Sequence, residues 1–200
     1  MDSLIAGIIL AAGASSRMGK DKALLDWHGR PFLEHLRGAA GAAGLAPRRV
    51  VLGANAADVQ ARISFDPGEV VINHHWQQGM LSSLLAGLDS LPKNVAAAVV
   101  FLVDHPCISS RLIRQLVDAY HSTGKLIVLP SYKGRRGHPL LFSGRLFDEL
   151  RAAPAEVGAR HVVHEHSSDI LEIETKEEGV LLNTDDRAAY EKILATQPPG

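Results

Sequence analysis

Leu4-Ile5-Ala6-Gly7-Ile8-Ile9-Leu10-Ala11-Ala12-Gly13-Ala14-Ser15-Ser16-Arg17-Met18-Gly19-Lys20-Asp21-Lys22 is the stretch that decides the fold. An uninterrupted apolar run passes into small residues and then into a short cationic loop. Residues 5–11 carry no polar side chain, which suits a strand buried on both faces of a sheet. In open parallel sheets ligands bind at the carboxyl ends of the strands, where this loop would lie. Gly13 and Gly19 let backbone amides approach an anion, and Ser15 and Ser16 add hydroxyl donors. Arg17 offers a fork for phosphate oxygens, and Lys22 a mobile point charge. Neither Gly-x-x-x-x-Gly-Lys-Ser/Thr nor Gly-x-Gly-x-x-Gly occurs. The loop is therefore a phosphate cradle of another kind or, alternatively, a surface loop that is merely basic.

Working outward, Pro31 is placed to open a helix whose apolar face is Phe32, Leu33 and Leu36. Residues 49–53 read as the next strand, followed by a helix capped by Asn55 and running through Val59 to Ile63. Residues 69–73 read as a third strand and 74–79 as an aperiodic loop. Met80, Leu81, Leu84, Leu85 and Leu88 recur at helical spacing, so 79–90 is an amphipathic helix entered at Gly79. The most strand-like run, 96–103, ends in Asp104-His105-Pro106. Ser109 or Ser110 caps a helix with Leu112, Ile113, Leu116, Val117 and Tyr120 inside, and 126–129 is a strand stopped by Pro130.

This alternation predicts an α/β fold with a mostly parallel sheet and helices on both faces. Beyond Ser131 the pattern loosens. Residues 132–142 read as a loop or hairpin, 143–152 and 158–166 as helices, and 170–173 and 180–182 as short strands. Asp185 or Asp186 opens a C-terminal helix. No linker interrupts residues 1–196, so a single domain is expected, with 197–200 as a tail.

Composition narrows the partners. Two hundred residues with 46% hydrophobic content suffice for one well-packed domain. A net charge of −1 excludes a globally basic, nucleic-acid-coating surface, so a polyanion must meet a local cluster of cations. The single cysteine, Cys107, excludes an internal disulfide and fits a reducing compartment. It has no Cys-x-x-Cys partner for a metal or redox site and no nearby base fixed by sequence, so it reads as a small buried side chain rather than a nucleophile. The start, Met1-Asp2-Ser3, lacks a cationic n-region, and no apolar stretch approaches the roughly 20 residues of a membrane span. A cytoplasmic protein with no nucleic-acid or membrane partner is expected. His161-x-x-His164-x-His166 reads as the surface of a short polar helix rather than a zinc site.

Three polar stretches follow strands: 12–22, 104–106 and 183–186. Asp104, closing an apolar strand, is placed to coordinate a hard cation that bridges phosphate oxygens. Leu10-Ala11-Ala12-Gly13, Arg17-Met18-Gly19 and Lys22 together resemble the signature of the MobA-like nucleotidyltransferases, which act on sugar nucleotides and the molybdenum cofactor. The resemblance extends to Trp27-His28-Gly29-Arg30-Pro31, Gly79-Met80-Leu81-Ser82-Ser83-Leu84 with Gly87-Leu88, Asp104-x-Pro106 and Gly158-Ala159-Arg160, and so covers residues 4–194. Gly134-Arg135-Arg136-Gly137-His138-Pro139 is most similar to the branch that attaches cytidylate to molybdopterin.

The resemblance implies a Rossmann-like three-layer sandwich, the nucleotide-diphospho-sugar transferase fold. It implies transfer of a nucleoside monophosphate, CMP from CTP in that branch, to the phosphate of molybdopterin, with release of pyrophosphate. Leu10, Ala11, Ala12 and Gly13 would read the base through their main chain, and Ser15, Ser82 and Ser83 would join them around the nucleotide. Arg17, Lys22 and Asp104 would be the catalytic groups, and Asp104 with Asn183 would hold magnesium, with manganese as the alternative. His105, Arg135, Arg136 and His138 would face the acceptor.

Two positions depart from the family pattern. His105 stands where Met is common, and is a bystander, an acceptor contact or a ligand for a softer metal. Asn183 stands where Asp is common in the cofactor branch; its amide oxygen is still a hard ligand, and capping of the last helix by Asn183 or Thr184 is the other reading. The alternatives within the same chemistry are GTP as donor, or a phosphosugar or phosphorylated small alcohol as acceptor. An alternative of another class is a non-catalytic carrier of the molybdenum cofactor. A molybdoenzyme or its chaperone is the expected protein partner.

Overall fold

The computed structural model describes residues 4–14 and 21–197. The apolar run forms β1 (Leu4–Ala11). A single turn over Lys22–Leu24 leads into a hairpin of β2 (Asp26–Trp27) and β3 (Arg30–Pro31), then α1 (Phe32–Ala42). There follow β4 (Arg48–Leu52), α2 (Ala56–Arg62), β5 (Val70–Ile72), α3 (Met80–Asp89) and β6 (Val95–Leu102). The second half comprises α4 (Ser110–Thr123), β7 (Ile127–Tyr132), β8 (Arg135–Arg136), β9 (Leu140–Ser143), α5 (Phe147–Ala152), α6 (Ala159–Glu165), β10 (Ile170–Glu174) and α7 (Arg187–Leu194).

The main sheet runs β10-β7-β9-β6-β1-β4-β5, with β8 paired to β7. Its pairs are parallel except those made by β9 with β6 and β7, and by β8 with β7. This is the expected mostly parallel α/β sheet. Side chains alternate across each strand and fill two separate cores. Ile5, Ile9, Ala97, Val99 and Phe101 meet Leu33 and Leu36 of α1 and Leu112, Ile113 and Leu116 of α4 on one face. On the other, Ala6, Ile8, Leu10, Ala98 and Val100 meet Leu81, Leu84 and Leu88 of α3 and Leu150 and Val162 beyond it. Each fully buried aliphatic side chain contributes about 1.5–3 kcal/mol. The result is a three-layer sandwich in which β1 and β6, at the centre, are apolar on both faces.

A smaller cluster of Leu25, Trp27, Phe32, Cys107 and Ile193 fastens the β2–β3 hairpin to α7. Tyr190 Oη donates to Asp26 O at 2.6 Å, and Trp27 Nε1 to Thr196 O at 3.3 Å. The chain's last helix is thereby fixed beside residues 22–31. Ser109, not Ser110, caps α4, its Oγ accepting from Leu112 N at 2.9 Å. Asp186, not Asp185, caps α7 through Ala189 N at 2.8 Å. Among the described residues no helix is long and apolar enough to cross a membrane.

Three local expectations are corrected. Pro130 does not stop its strand, which continues to Tyr132. β9 pairs with β7 only at Ile127 and Val128, so the proline ring interrupts no pairing with β9, and Pro130 O still accepts from Gly137 N at 2.8 Å. Residues 180–182 are not a strand: a 3-10 turn spans Glu178–Leu181, because Val180 is buried as a plug and its carbonyl accepts from His138 N at 2.9 Å. Asn55 precedes α2 but its side chain makes no cap; its amide donates to Asp21 instead.

Gly87 shows how tightly α3 lies on the sheet. A Cβ there would stand 2.7 Å from Ile8 Cγ2 and 3.2 Å from Val51 Cγ2. Glycine-to-alanine changes in a helix interior otherwise stabilise by about 0.8–1 kcal/mol. Overpacking against two buried β-branched side chains costs about 1–3 kcal/mol. Gly87→Ala is therefore expected to lower the urea unfolding midpoint, and a raised midpoint would show that α3 sits further from β1 than described here.

Candidate active site

The central strands end side by side, with Leu10 in register with Leu102. Beyond these ends the chain can carry polar groups that the sandwich interior would exclude. Val103 N donates to Leu10 O at 3.1 Å, and Ala54 N to Ala12 O at 3.1 Å, so the turn after β1 is held from both flanks. Gly53 permits this approach, since a Cβ there would lie 2.5 Å from Ala12 O and 2.8 Å from Trp76 Cβ.

A cleft of about 330 Å³ opens at this edge. Leu10, Ala11, Ala12 and Gly13 line it, with Lys22, Ser83 and Asp104. Ser15 and Arg17 lie outside the described residues. Lys22 is delivered by the single turn that begins after Asp21. One Asp21 oxygen accepts from Ala23 N at 2.8 Å and the other from Asn55 Nδ2 at 2.8 Å. Burial pushes the Asp21 carboxyl above its usual range, while those two hydrogen bonds oppose the rise.

Lys22 Nζ lies 3.2 Å from Asp104 Oδ2 and 3.1 Å from Asp185 Oδ1. The three side chains come from three distant parts of the sequence. Thr184, fully buried, donates its N–H to Asp104 O at 3.0 Å, with its hydroxyl at 3.4 Å from the same atom. Asn183 Nδ2 donates to Asp185 Oδ2 at 2.8 Å. Residues 183–185 are thus stitched to the strand end that carries Asp104. Two carboxylates gathered around one ammonium, with an amide beside them, form an oxygen-rich donor set that fits a hard divalent cation.

The opposite wall is the start of α3. Gly79 enters that helix at φ +97°, a conformation L side chains rarely adopt. Asn73 Nδ2 donates to Ser82 Oγ at 2.9 Å and Ser83 Oγ at 3.0 Å, and Asn73 Oδ1 accepts from His75 N at 2.8 Å. Ser83 lines the cleft, whereas Ser82 Oγ turns to His75 O and Gly79 O.

A second cavity of about 620 Å³ adjoins the first and shares Leu10, Met80 and Leu102 with it. Its lining is mainly apolar, with Arg136, His138 and Arg160 as the polar groups most relevant to an anion. Arg136 Nε is paired with Glu172 at 2.8 Å. Arg135 is exposed and lines neither cavity. The rings of His105 and His138 tilt against each other with centroids 4.8 Å apart, and the Nδ1 of each is buried without a hydrogen-bond partner among the described residues. Burial first, and then repulsion from His105, pushes the His138 pKa down to about 4. Burial lowers that of His105 as well, against the pull of Asp104 and Asp185. At neutral pH the pair is uncharged, so the cationic character here comes from Arg136 and Arg160.

A family model described as MobA-like NTP transferase domain matches residues 7–170. The chain belongs to this family. Among curated relatives, a nicotine blue oxidoreductase of Paenarthrobacter nicotinovorans is 37% identical over 165 residues, 78% of this chain and 79% of that protein. A molybdenum cofactor guanylyltransferase of Xanthomonas euvesicatoria pv. vesicatoria (strain 85-10) is 38% identical over 114 residues, 56% of this chain and 52% of that protein. Among solved structures, Rv0371c of Mycobacterium tuberculosis H37Rv matches with a TM-score of 0.85 at 27% identity, covering 98% of this chain and 100% of that one. The same protein in complex with manganese matches at 0.81 and 26%, covering 97% of this chain and 100% of that one.

Within this MobA-like domain, several groups at the site escape a reading of the sequence. Asp185 resembles a helix cap by position, and only the fold brings it to Lys22. Asp21, Asn55 and Asn73 act through bonds between loops that no spacing rule anticipates. Arg160 sits in a Gly-Ala-Arg motif that marks it, although nothing local says it faces the second cavity. The His105–His138 contact joins residues 33 apart in sequence.

The neutral histidine pair has a consequence for stability. An unfolded chain takes up the His138 proton near the ordinary value of 6.5, and the folded one only near 4. Between those values the unfolded state binds more protons, so stability rises with pH; the loss begins as pH falls below about 6.5. Urea midpoints measured downward from about pH 7 should fall in the wild type and fall less steeply in His138→Gln. Parallel slopes would mean that His138 is not held neutral.

Proposed function

We propose that this protein transfers a nucleoside monophosphate from a nucleoside triphosphate to the phosphate of molybdopterin, releasing pyrophosphate. One adjacency carries the reading. A lysine ammonium and a strand-end carboxylate share a cleft, and that cleft adjoins a larger apolar cavity bearing two guanidinium groups. The smaller cleft suits the nucleotide, with its base against the main chain of residues 10–13 and its phosphates toward Arg17 and Lys22. The larger cavity suits the ring system of the acceptor, with its phosphate toward Arg136 and Arg160.

In this reaction a bond forms between an acceptor phosphate oxygen and the α-phosphorus, while the bond from that phosphorus to the β-phosphate oxygen breaks. The acceptor phosphate is already ionised near neutral pH, so no side chain need remove a proton. The obstacle is the approach of two anions, and positioning with charge neutralisation lowers it. Lys22 and Arg17 would meet the charge that builds on departing pyrophosphate. The neutral imidazole of His138 lines the larger cavity and would face the acceptor without adding charge, while His105 is buried behind it and lines neither cavity. Asp104 with Asn183 would hold a divalent cation, magnesium or manganese, and a manganese complex of the similar protein Rv0371c supports the use of such an ion. Such an ion supplies further neutralisation of phosphate charge when bound.

Two lines of support differ on the base. The Gly134–Pro139 element resembles the cytidylate branch, and the curated guanylyltransferase relatives favour GTP. The decisive assay follows pyrophosphate release with molybdopterin, magnesium or manganese, and each triphosphate in turn. CTP is expected to be used best, and preference for GTP would reassign the base while leaving the chemistry intact. Asp104→Ala should lower kcat/KM by about a thousandfold with the fold preserved. Near-normal turnover in that variant would overturn the role of Asp104. Binding of nucleotide with no release under any condition would favour a carrier.

The relative named nicotine blue oxidoreductase supports a second reading, redox chemistry on a compound held in the apolar cavity. Oxidation of a reduced nicotinamide dinucleotide by a planar acceptor, in the absence of triphosphate, would establish it.

A further inference from the structure

We propose that Lys22 is the site's own counter-ion: without substrates, its ammonium fills the place between Asp104 and Asp185 that a divalent cation takes when the nucleotide arrives. The inference rests on reading Asp104 as a cation ligand, and adds to it Asp185 as a second carboxylate and Lys22 as the group to be displaced.

The geometry has three parts. Lys22 Nζ is nearly equidistant from the two carboxylates, at 3.2 Å from Asp104 and 3.1 Å from Asp185. The lysine and Asp104 are largely shielded from solvent, with side chains 17% and 24% exposed, so their charges are incompletely screened by water. The position of Asp185 is imposed by the fold. Thr184 before it is pinned to Asp104 O, Asn183 holds its other oxygen, and Asp186 after it caps α7. Asp185 would therefore face Asp104 whether or not the lysine were there.

Two cations cannot share these oxygens at close range without strong repulsion. A free divalent ion must displace the ammonium, and on its own it offers Lys22 no new partner. A triphosphate does, because its oxygens can draw Lys22 from the carboxylates toward the leaving group. Cation and nucleotide then bind as a coupled pair, and the ammonium moves from the two carboxylates to the phosphates.

The test reads metal binding and needs no turnover, so it stands apart from the transfer reaction itself. Manganese affinity is measured by the paramagnetic resonance signal of free Mn²⁺, without nucleotide, for the wild type, Lys22→Met and Lys22→Arg. Lys22→Met is expected to bind manganese at least about tenfold more tightly than wild type, and Lys22→Arg no more than about twofold. Arg160→Met, which removes a cation from the adjoining cavity, should change affinity by less than about twofold, excluding a general effect of net charge. Adding Asp185→Asn to Lys22→Met should abolish the gain. Equal affinity of wild type and Lys22→Met would overturn the proposal. So would full retention of the gain in the double variant, which would remove Asp185 from the site.

Discussion

The adjacency of β1 and β6 constrains everything else in this molecule. Both strands are buried on both faces, so neither can carry a charged side chain along its length without a large desolvation cost. Polar groups must wait until the strands leave the sheet, and because the strands are parallel they leave it on the same edge. Main-chain groups from one turn and the Asp104 carboxylate from the other therefore arrive together. Helix α3 closes one side of that edge, and residues 183–185, fastened by Thr184, close the other.

Much of this was legible in the residues. The apolar runs marked β1 and β6, because a strand buried on both faces leaves an unmistakable record in composition. Helices with a strong one-sided pattern, such as α3 and α4, were equally plain. The polar stretches after the two central strands marked the edge where a cleft opens, and Lys22, Asp104 and residues 10–13 line it. What escaped depended on contacts between segments far apart in sequence. Pro130 reads as a strand breaker, and only the early departure of β9 makes it tolerable. Val180 reads as a strand residue, yet it is a plug beneath His138. Asp185 and Asp186 are indistinguishable by pattern; the fold makes one a partner of Lys22 and the other a helix cap.

The division into a small polar cleft and a larger apolar cavity gives the family membership a physical content. On the proposed reading, phosphate chemistry would take place at the end of β1 and β6, where Lys22 and Asp104 meet. On the same proposal the acceptor would lie in the cavity beyond Met80 and Leu102, which Arg136, His138 and Arg160 line. The chain is similar in sequence both to a relative named for redox chemistry and to relatives named for nucleotidyl transfer. That double similarity is intelligible if the strand-edge cleft is the constant part and the cavity is where members diverge.

The account depends most on the small cleft being the triphosphate half of the site. A crystal structure with manganese and a non-hydrolysable CTP analogue, using anomalous scattering to locate the ion, tests this directly. An ion peak is expected on Asp104, with phosphates along residues 10–22 and the Lys22 ammonium moved from Asp185 onto the phosphate oxygens. An analogue seated in the larger cavity, with Lys22 still bridging Asp104 and Asp185, would contradict it.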